Sequence, residues 1–120
     1  TLMAGLACGE VHIIGYEIHW DYAGAFVSCP DYVAARGMRV LGNPLEGDQK
    51  VISGESGAVT TGLLAYLMDR PELKGLREAL DLNESSRVLL FSTEGDTDPD
   101  RYRSVVWDGE FPTVGHLSRP

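Results

Sequence analysis

The stretch that decides the fold is residues 87–98, RVLLFSTEGDTD, in which a run of apolar residues ends in a polar loop. A near-continuous apolar run of this length is typical of a β-strand that is covered on both faces, as in a parallel sheet. Residues 93–98 would then form the loop at the carboxyl end of that strand. In open α/β sheets, ligands bind beyond the carboxyl ends of the strands.

The rest of the sequence is mostly helical in pattern. Apolar periodicity, proline and glycine positions and capping residues predict helices over residues 10–22, from a first turn that includes Pro30 to a stop at residues 42–44 (GNP), and over residues 58–68, 71–82 and 99–106. Ser28 or Asp31 is expected to cap the second of these helices, and Asp98 the last. Residues 25–28 (AFVS) resemble a brief second strand.

The predicted fold class is α/β, mostly helical with one or two parallel-sheet strands. A buried parallel strand needs neighbouring strands and helices on both faces. The chain supplies too few strands for such a sheet, so we expect the missing ones upstream of Thr1. The first residue is not Met, which also favours an internal piece of a longer protein or a processed chain.

Composition excludes several classes of partner. The 120 residues carry a net charge of −8 with no basic cluster, which argues against binding to nucleic acid or an anionic membrane. No segment reaches the roughly 18 apolar residues that span a bilayer. The two cysteines, Cys8 and Cys29, form no CxxC motif and are expected to be free thiols of a cytoplasmic protein, unless one pairs outside this chain.

Two segments are candidates for chemistry. Residues 53–57 (SGESG) precede a helix, where glycines, a hydroxyl and free backbone amides suit an anion. The alternative is a capped helix, with Ser53 or Ser56 bonded to the amides. Residues 92–96 (STEGD) offer hydroxyls and carboxylates after the predicted strand, or merely a turn that caps the next helix through Asp96 or Asp98.

Other reactive side chains give weaker signals. The histidines His12, His19 and His116 have no metal-ligand spacing, so no metal site is expected. The two lysines, Lys50 and Lys74, lie in a polar loop and on an amphipathic helix. Neither is in the desolvated setting that a Schiff-base lysine needs.

Four strings in this order resemble the 2,3-diaminopropionate ammonia-lyase family. They are MAGLACGE (3–10), SCPDYVAARGMRVLGNP (28–44), VISGESGAV (51–59) and STEGDTD (92–98). The family belongs to the fold-type II pyridoxal-phosphate enzymes, which are tryptophan-synthase-β-like. The resemblance implies that residues 1–120 are the C-terminal part of the catalytic domain. It also implies pyridoxal 5'-phosphate as cofactor and elimination of ammonia from 2,3-diaminopropionate to give pyruvate.

The resemblance also implies roles for particular residues. Ser92, or else its neighbour Thr93, would hydrogen-bond the pyridine nitrogen of the cofactor, and Glu55 would lie near the ring. Gly54 and Gly57 would let the backbone approach the cofactor closely. Gly5 would lie near the mouth of the active site.

What the chain lacks is equally informative. The family's Schiff-base lysine, its catalytic aspartates and its phosphate-binding glycine loop lie far upstream, so no catalytic residue is expected within this chain. Its expected partners are an amino-acid substrate, the missing N-terminal part and a second copy in a cytoplasmic homodimer. Two alternatives stay open: a non-catalytic small-ligand-binding or regulatory module that retains lyase-like sequence, and a non-catalytic interaction protein.

Overall fold

The computed structural model describes residues 1–113, and the regular secondary structure in that range is helical. Short 3-10 turns lie at Ala4–Leu6 and Pro71–Leu73. The described residues contain five α-helices: α1 (Ile13–Tyr22), α2 (Asp31–Gly42), α3 (Glu55–Asp69), α4 (Lys74–Ala79) and α5 (Pro99–Val106).

Helices α2 and α3 form the centre of the molecule, and two glycines let their backbones touch. A Cβ on Gly37 would lie 1.9 Å from the carbonyl oxygen of Ala58, and one on Gly62 would lie 1.9 Å from that of Val33. Neither position has room for a side chain. The buried apolar side chains come largely from this pair: Met3, Val33, Ala34, Ala35, Met38, Ala58, Val59, Tyr66, Leu67 and Val105.

Helix α5 packs against α2, and a single arginine ties the two together. Asp98 caps α5 as the sequence predicts, its Oδ1 accepting a hydrogen bond from the amide of Arg101 at 3.0 Å. Arg39 of α2 donates to the carbonyl oxygens of Val105 at 3.0 Å and Phe111 at 3.3 Å, and also to that of Glu110. This contact fixes the segment that follows residues 92–98.

Helix α1 lies apart from the other helices. Within residues 1–113 it packs against none of them, and no residue of α1 is buried. Ile13 is 76% exposed and Trp20 is 75% exposed. Its internal contacts are local, such as the rings of Tyr16 and Trp20 with centroids 5.9 Å apart. The described part of the chain therefore leaves an apolar helix uncovered.

The helical predictions are confirmed in existence, with shifted ends. The first helix begins at Ile13, and the third begins at Glu55, three residues earlier than predicted. The helix predicted over residues 71–82 is instead a 3-10 turn followed by α4, which ends at Ala79. Asp81 has φ of 52°, a left-handed conformation that stops a right-handed helix.

The predicted caps of α2 are wrong. Its N-cap residue is Pro30, which makes no side-chain capping bond. Asp31 points elsewhere: its Oδ1 accepts hydrogen bonds from the Thr1 hydroxyl at 2.5 Å and the Leu2 amide at 2.8 Å. The hydrogen bond from Thr1 is the main reason that the pKa of Asp31 is lowered; burial raises that pKa by less, and the hydrogen bond from Leu2 lowers it a little further. Asp31 thus anchors the first residues to α2.

The predicted strands are not confirmed, because no β-strand forms within residues 1–113. Residues 87–92 have no regular secondary structure, and Leu89 and Phe91 are 78% and 72% exposed. A strand is defined by hydrogen bonds to a neighbour, and apolar strand residues need cover. The strands over 87–92 and 25–28 therefore stay predictions for a longer protein that supplies both.

Candidate functional site

The two segments singled out in the sequence meet at the start of α3. The Oγ atoms of Ser53 and Ser92 lie 2.7 Å apart, within hydrogen-bond distance. The amide of Gly54 donates to the carbonyl oxygen of Glu94 at 3.1 Å. Residues 53–57 and 92–96 therefore form one site, which we call the loop–helix junction.

Gly54 and Gly57 allow this close approach. A Cβ on Gly54 would lie 2.7 Å from the carbonyl oxygen of Gly95. A Cβ on Gly57 would lie 2.8 Å from Ser53 Oγ and 3.0 Å from Ser92 Oγ. Any side chain at either position would push the two segments apart. In the structure both glycines lie close to the loop of residues 92–95. Their approach to a cofactor stays a prediction.

Glu94 occupies the N-terminus of α3. Its Oε1 accepts hydrogen bonds from the amides of Ser56 at 2.6 Å and Gly57 at 3.1 Å. Neither Ser53 nor Ser56 makes the capping bond that the sequence suggested, because a carboxylate from the other segment does so. A carboxylate also suits the positive end of the helix dipole. These amides already have an anionic partner within the chain.

The two serines differ in their access to solvent. Ser53 is completely buried, whereas Ser92 is exposed. Each hydroxyl has a longer second contact: Ser53 Oγ lies 3.3 Å from the carbonyl oxygen of Gly54, and Ser92 Oγ lies 3.3 Å from that of Glu94. Ser92 is therefore accessible to a ligand, and the buried Ser53 hydroxyl lies within hydrogen-bond distance of Ser92.

The remaining predicted residues surround this pair. Glu55 is the first residue of α3 and is half-buried, and Thr93 is exposed beside Ser92. A Cβ on Gly5 would lie 3.0 Å from Ser56 Oγ, so the first residues of the chain also reach the junction. The site thus offers an exposed hydroxyl pair, a half-buried carboxylate and a buried hydroxyl.

Sequence reasoning missed two contributors. It placed Ser53 in a segment that could bind an anion or cap a helix, and Glu94 among the carboxylates of a loop, but it gave neither residue a role of its own at the site. Their contacts join residues about 40 positions apart (Ser53 to Ser92 and Ser56 to Glu94). No local pattern encodes such a pairing. The burial of Ser53 beside Gly54 and Gly57 becomes evident only when the two segments are seen together.

Other reactive groups lie outside the junction. Lys50 is exposed, and Lys74 forms an exposed ion pair with Glu78 at 3.6 Å, so neither lysine is desolvated. Cys8 and Cys29 are free thiols, and partial burial raises the pKa of Cys29. Among residues 1–113, no group of three His, Cys, Asp or Glu side chains is placed to hold a metal ion. His116 lies outside the described residues.

Comparisons with known proteins find relatives that match most of the chain. No protein-family profile matches the chain. Over 110 residues, 92% of its length, it is 56% identical to the diaminopropionate ammonia-lyase of Escherichia coli K12. It is 50% identical to the corresponding enzyme of Salmonella typhimurium LT2 over 91% of its length. The chain is homologous to part of diaminopropionate ammonia-lyase. It spans only about 28% of the length of the E. coli relative.

Solved structures of the E. coli ammonia-lyase have the same fold over this region. A crystal structure of that enzyme with an aminoacrylate-PLP azomethine reaction intermediate matches with a TM-score of 0.88 and 55% identity, covering 92% of this chain and 29% of that one. The apo form of the same enzyme matches with a TM-score of 0.84 and 50% identity, covering 89% and 29%. The resemblance predicted from the sequence is confirmed. None of the helices in residues 1–113 combines the length and apolar character that a membrane span requires.

Proposed function

We propose that this chain is the C-terminal part of a pyridoxal-phosphate-dependent ammonia-lyase that converts 2,3-diaminopropionate to pyruvate and ammonia. The observation that carries the proposal is its match, at 55% identity and a TM-score of 0.88, to a diaminopropionate ammonia-lyase with a PLP-bound reaction intermediate. In this proposal the chain supplies one wall of the cofactor pocket, at the loop–helix junction, and is inactive alone.

The residues at the junction suit the cofactor. A pyridine ring needs a hydrogen-bond partner for its nitrogen and a surface free of bulky side chains. Ser92 offers an exposed hydroxyl on a loop that lies close against the backbone of Gly54 and Gly57. A hydroxyl can donate to an unprotonated ring nitrogen, whereas an ionised carboxylate can only accept. We therefore assign Ser92 to the ring nitrogen, with Thr93 as the alternative partner.

When bound, pyridoxal phosphate serves as the electron sink for negative charge at the α-carbon of the substrate. A neutral hydroxyl at its ring nitrogen moderates that effect, which suits elimination of a β-amino group. Glu55, on the first turn of α3, is assigned to the edge of the pocket, where a carboxylate can hold a proton close to the ring. Because Gly54 and Gly57 have no side chains, the backbone at this wall of the pocket can lie close to the cofactor.

The remaining chemistry is assigned to residues outside the chain. Neither Lys50 nor Lys74 is desolvated, so the lysine that holds the cofactor is expected in the upstream part. That part, a small amino-acid substrate and a second copy of the protein are the proposed partners, in the cytoplasm. An E. coli relative has been solved with D-serine, which supports an amino-acid ligand. The exposed apolar side chains of α1 also support the proposal that another part of the protein, or a second copy, packs against this chain.

The test is to express this sequence with its upstream part and to assay pyruvate and ammonia from 2,3-diaminopropionate. We expect the longer protein to form both products and the 120-residue chain to form neither. A matched variant, Gly75→Ala, changes an open position on α4 and should keep full activity. A longer protein that binds the diamine but releases no pyruvate would instead support a non-catalytic ligand-binding module.

A further inference from the structure

We infer that Ser53 is a positioning residue that orients the hydroxyl of Ser92 toward the ring nitrogen of the cofactor. The inference rests on the proposed function and deepens it, because it explains how a small exposed side chain is held in one direction. Its basis is the 2.7 Å contact between the two Oγ atoms and the complete burial of Ser53.

The direction of the hydrogen bonds follows from counting protons. A serine hydroxyl has one hydrogen to donate and two lone pairs to accept with. If Ser92 gives its hydrogen to an unprotonated ring nitrogen, it has none left for Ser53. The bond between the serines must then run from Ser53 to Ser92. Ser53 Oγ therefore donates, and Ser92 Oγ accepts while it donates to the ring.

Burial makes Ser53 a dependable donor. At 0% exposure it has no bulk water to bond with, and its other close acceptor, the carbonyl oxygen of Gly54, is at the longer distance of 3.3 Å. Leaving a buried hydroxyl without a partner is unfavourable, so the contact with Ser92 is strongly favoured. Ser53 thus holds Ser92 by a bond that solvent does not compete for.

Ser92 has a competing contact that this bond counteracts. Its Oγ lies 3.3 Å from the carbonyl oxygen of Glu94, to which it can also donate. Donation to Glu94 would turn the hydrogen away from a ligand. The bond from Ser53 fills one lone pair of Ser92 and fixes the direction of its Cβ–Oγ bond. Gly57 is required for this arrangement, because a Cβ there would lie 2.8 Å from Ser53 Oγ.

The test measures the dissociation constant of pyridoxal phosphate from the full-length protein, in a double-mutant cycle of Ser53→Ala and Ser92→Ala. We expect Ser53→Ala to weaken cofactor binding roughly threefold to tenfold, the worth of one hydrogen bond. In the Ser92→Ala background the same change should alter it less than about twofold, because two coupled residues are not additive. The cofactor absorption of Ser53→Ala should shift in the same direction as that of Ser92→Ala.

Two further variants separate positioning from packing. Ser53→Cys keeps a side chain of similar shape with a weak donor, and we expect it to bind the cofactor as weakly as Ser53→Ala. Ser85→Ala removes an exposed hydroxyl that lies outside the junction, and it should leave binding unchanged within about twofold.

The outcomes are distinct. An equal loss from Ser53→Ala in both backgrounds, or no loss in either, would overturn the role of Ser53 and leave the proposed function intact. A wild-type full-length protein that fails to bind pyridoxal phosphate would overturn the proposed function and this inference together.

Discussion

Helices α1 and α3 are both strongly apolar, yet one is exposed and the other is buried. On α3, Val59 and Leu67 are 7% and 2% exposed, whereas Ile14 and Trp20 on α1 are 63% and 75% exposed. The sequence around α3 provides its own cover in α2. Nothing in the described residues does this for α1. The difference shows that α2 and α3 bury each other's apolar side chains, whereas the apolar side chains of α1 would need additional protein to cover them.

The largest loss of stability is expected at the backbone contact between α2 and α3. Gly62→Ala would place a methyl group 1.9 Å from the carbonyl oxygen of Val33, so α2 and α3 must separate. We expect it to lower the free energy of unfolding of this chain by about 3 kcal/mol, at the upper end for overpacking. Urea unfolding followed by circular dichroism measures this.

The matched control is Gly75→Ala on α4, where a Cβ has no neighbour within 4 Å. Alanine favours a helix over glycine, so this change should be neutral or stabilise by up to about 1 kcal/mol. Equal stability of the two variants would mean that α2 and α3 are not in backbone contact.

A smaller loss is expected at the tie between α2 and α5. Arg39→Met removes a guanidinium that donates to three carbonyl oxygens of residues 105, 110 and 111. We expect a loss of about 2 kcal/mol, since hydrogen bonds involving a charged group are worth about 1.5 to 3 kcal/mol. Urea unfolding again gives the value.

Arg36→Met serves as its control, because Arg36 forms an exposed ion pair with Asp69 at 3.3 Å. Such pairs contribute about 0 to 1 kcal/mol. A loss at Arg36 as large as that at Arg39 would contradict the assigned role of Arg39.

The cap of α3 gives the next smaller effect. Glu94→Ala leaves the amides of Ser56 and Gly57 without their carboxylate, at a cost of about 1 kcal/mol, as for other lost N-caps. Glu84→Ala, at an exposed position before residues 87–92, is the control and should change stability by less than about 0.5 kcal/mol. A Glu94 variant as stable as its control would mean that the carboxylate does not cap α3.

The smallest effect in this chain is expected on α1. Trp20→Ser exchanges an exposed aromatic side chain and should change the chain's stability by no more than about 0.5 kcal/mol. In the full-length protein the same residue should be covered, and the loss should be about 3 kcal/mol or more. The measurement compares the thermal unfolding of the wild type and of Trp20→Ser, both in this chain and in the full-length protein. A small effect in both lengths would mean that α1 stays uncovered.

The sequence predicted the helices well and the packing between them poorly. Periodicity and end signals such as Asp98 and Gly42 are local, so the existence of all five helices followed from them. The start of α3 was placed three residues late because its cap, Glu94, comes from a distant segment. The strand over residues 87–92 is unconfirmed because its apolar pattern requires neighbouring strands, and residues 1–113 form none.

The candidate site was predicted in its parts but not in its assembly. Residues 53–57 and 92–96 were both selected. The family resemblance implied that Gly54 and Gly57 lie close to a cofactor, and in the structure they lie close to the loop of residues 92–95. The pairing of Ser53 with Ser92 depends on the tertiary fold. Burial of Ser53 is likewise a property of the folded chain, since serine is usually exposed.

The central claim is that Ser92 faces the ring nitrogen of pyridoxal phosphate in a full-length ammonia-lyase. The most direct test compares the visible absorption of the cofactor in the full-length protein and its Ser92→Asp variant, with Ser86→Asp as a distant control. An aspartate at Ser92 should protonate the ring nitrogen, so we expect a shifted absorption band and a changed rate of pyruvate formation, with Ser86→Asp unchanged. Identical spectra and rates for Ser92→Asp and the wild type would contradict the claim.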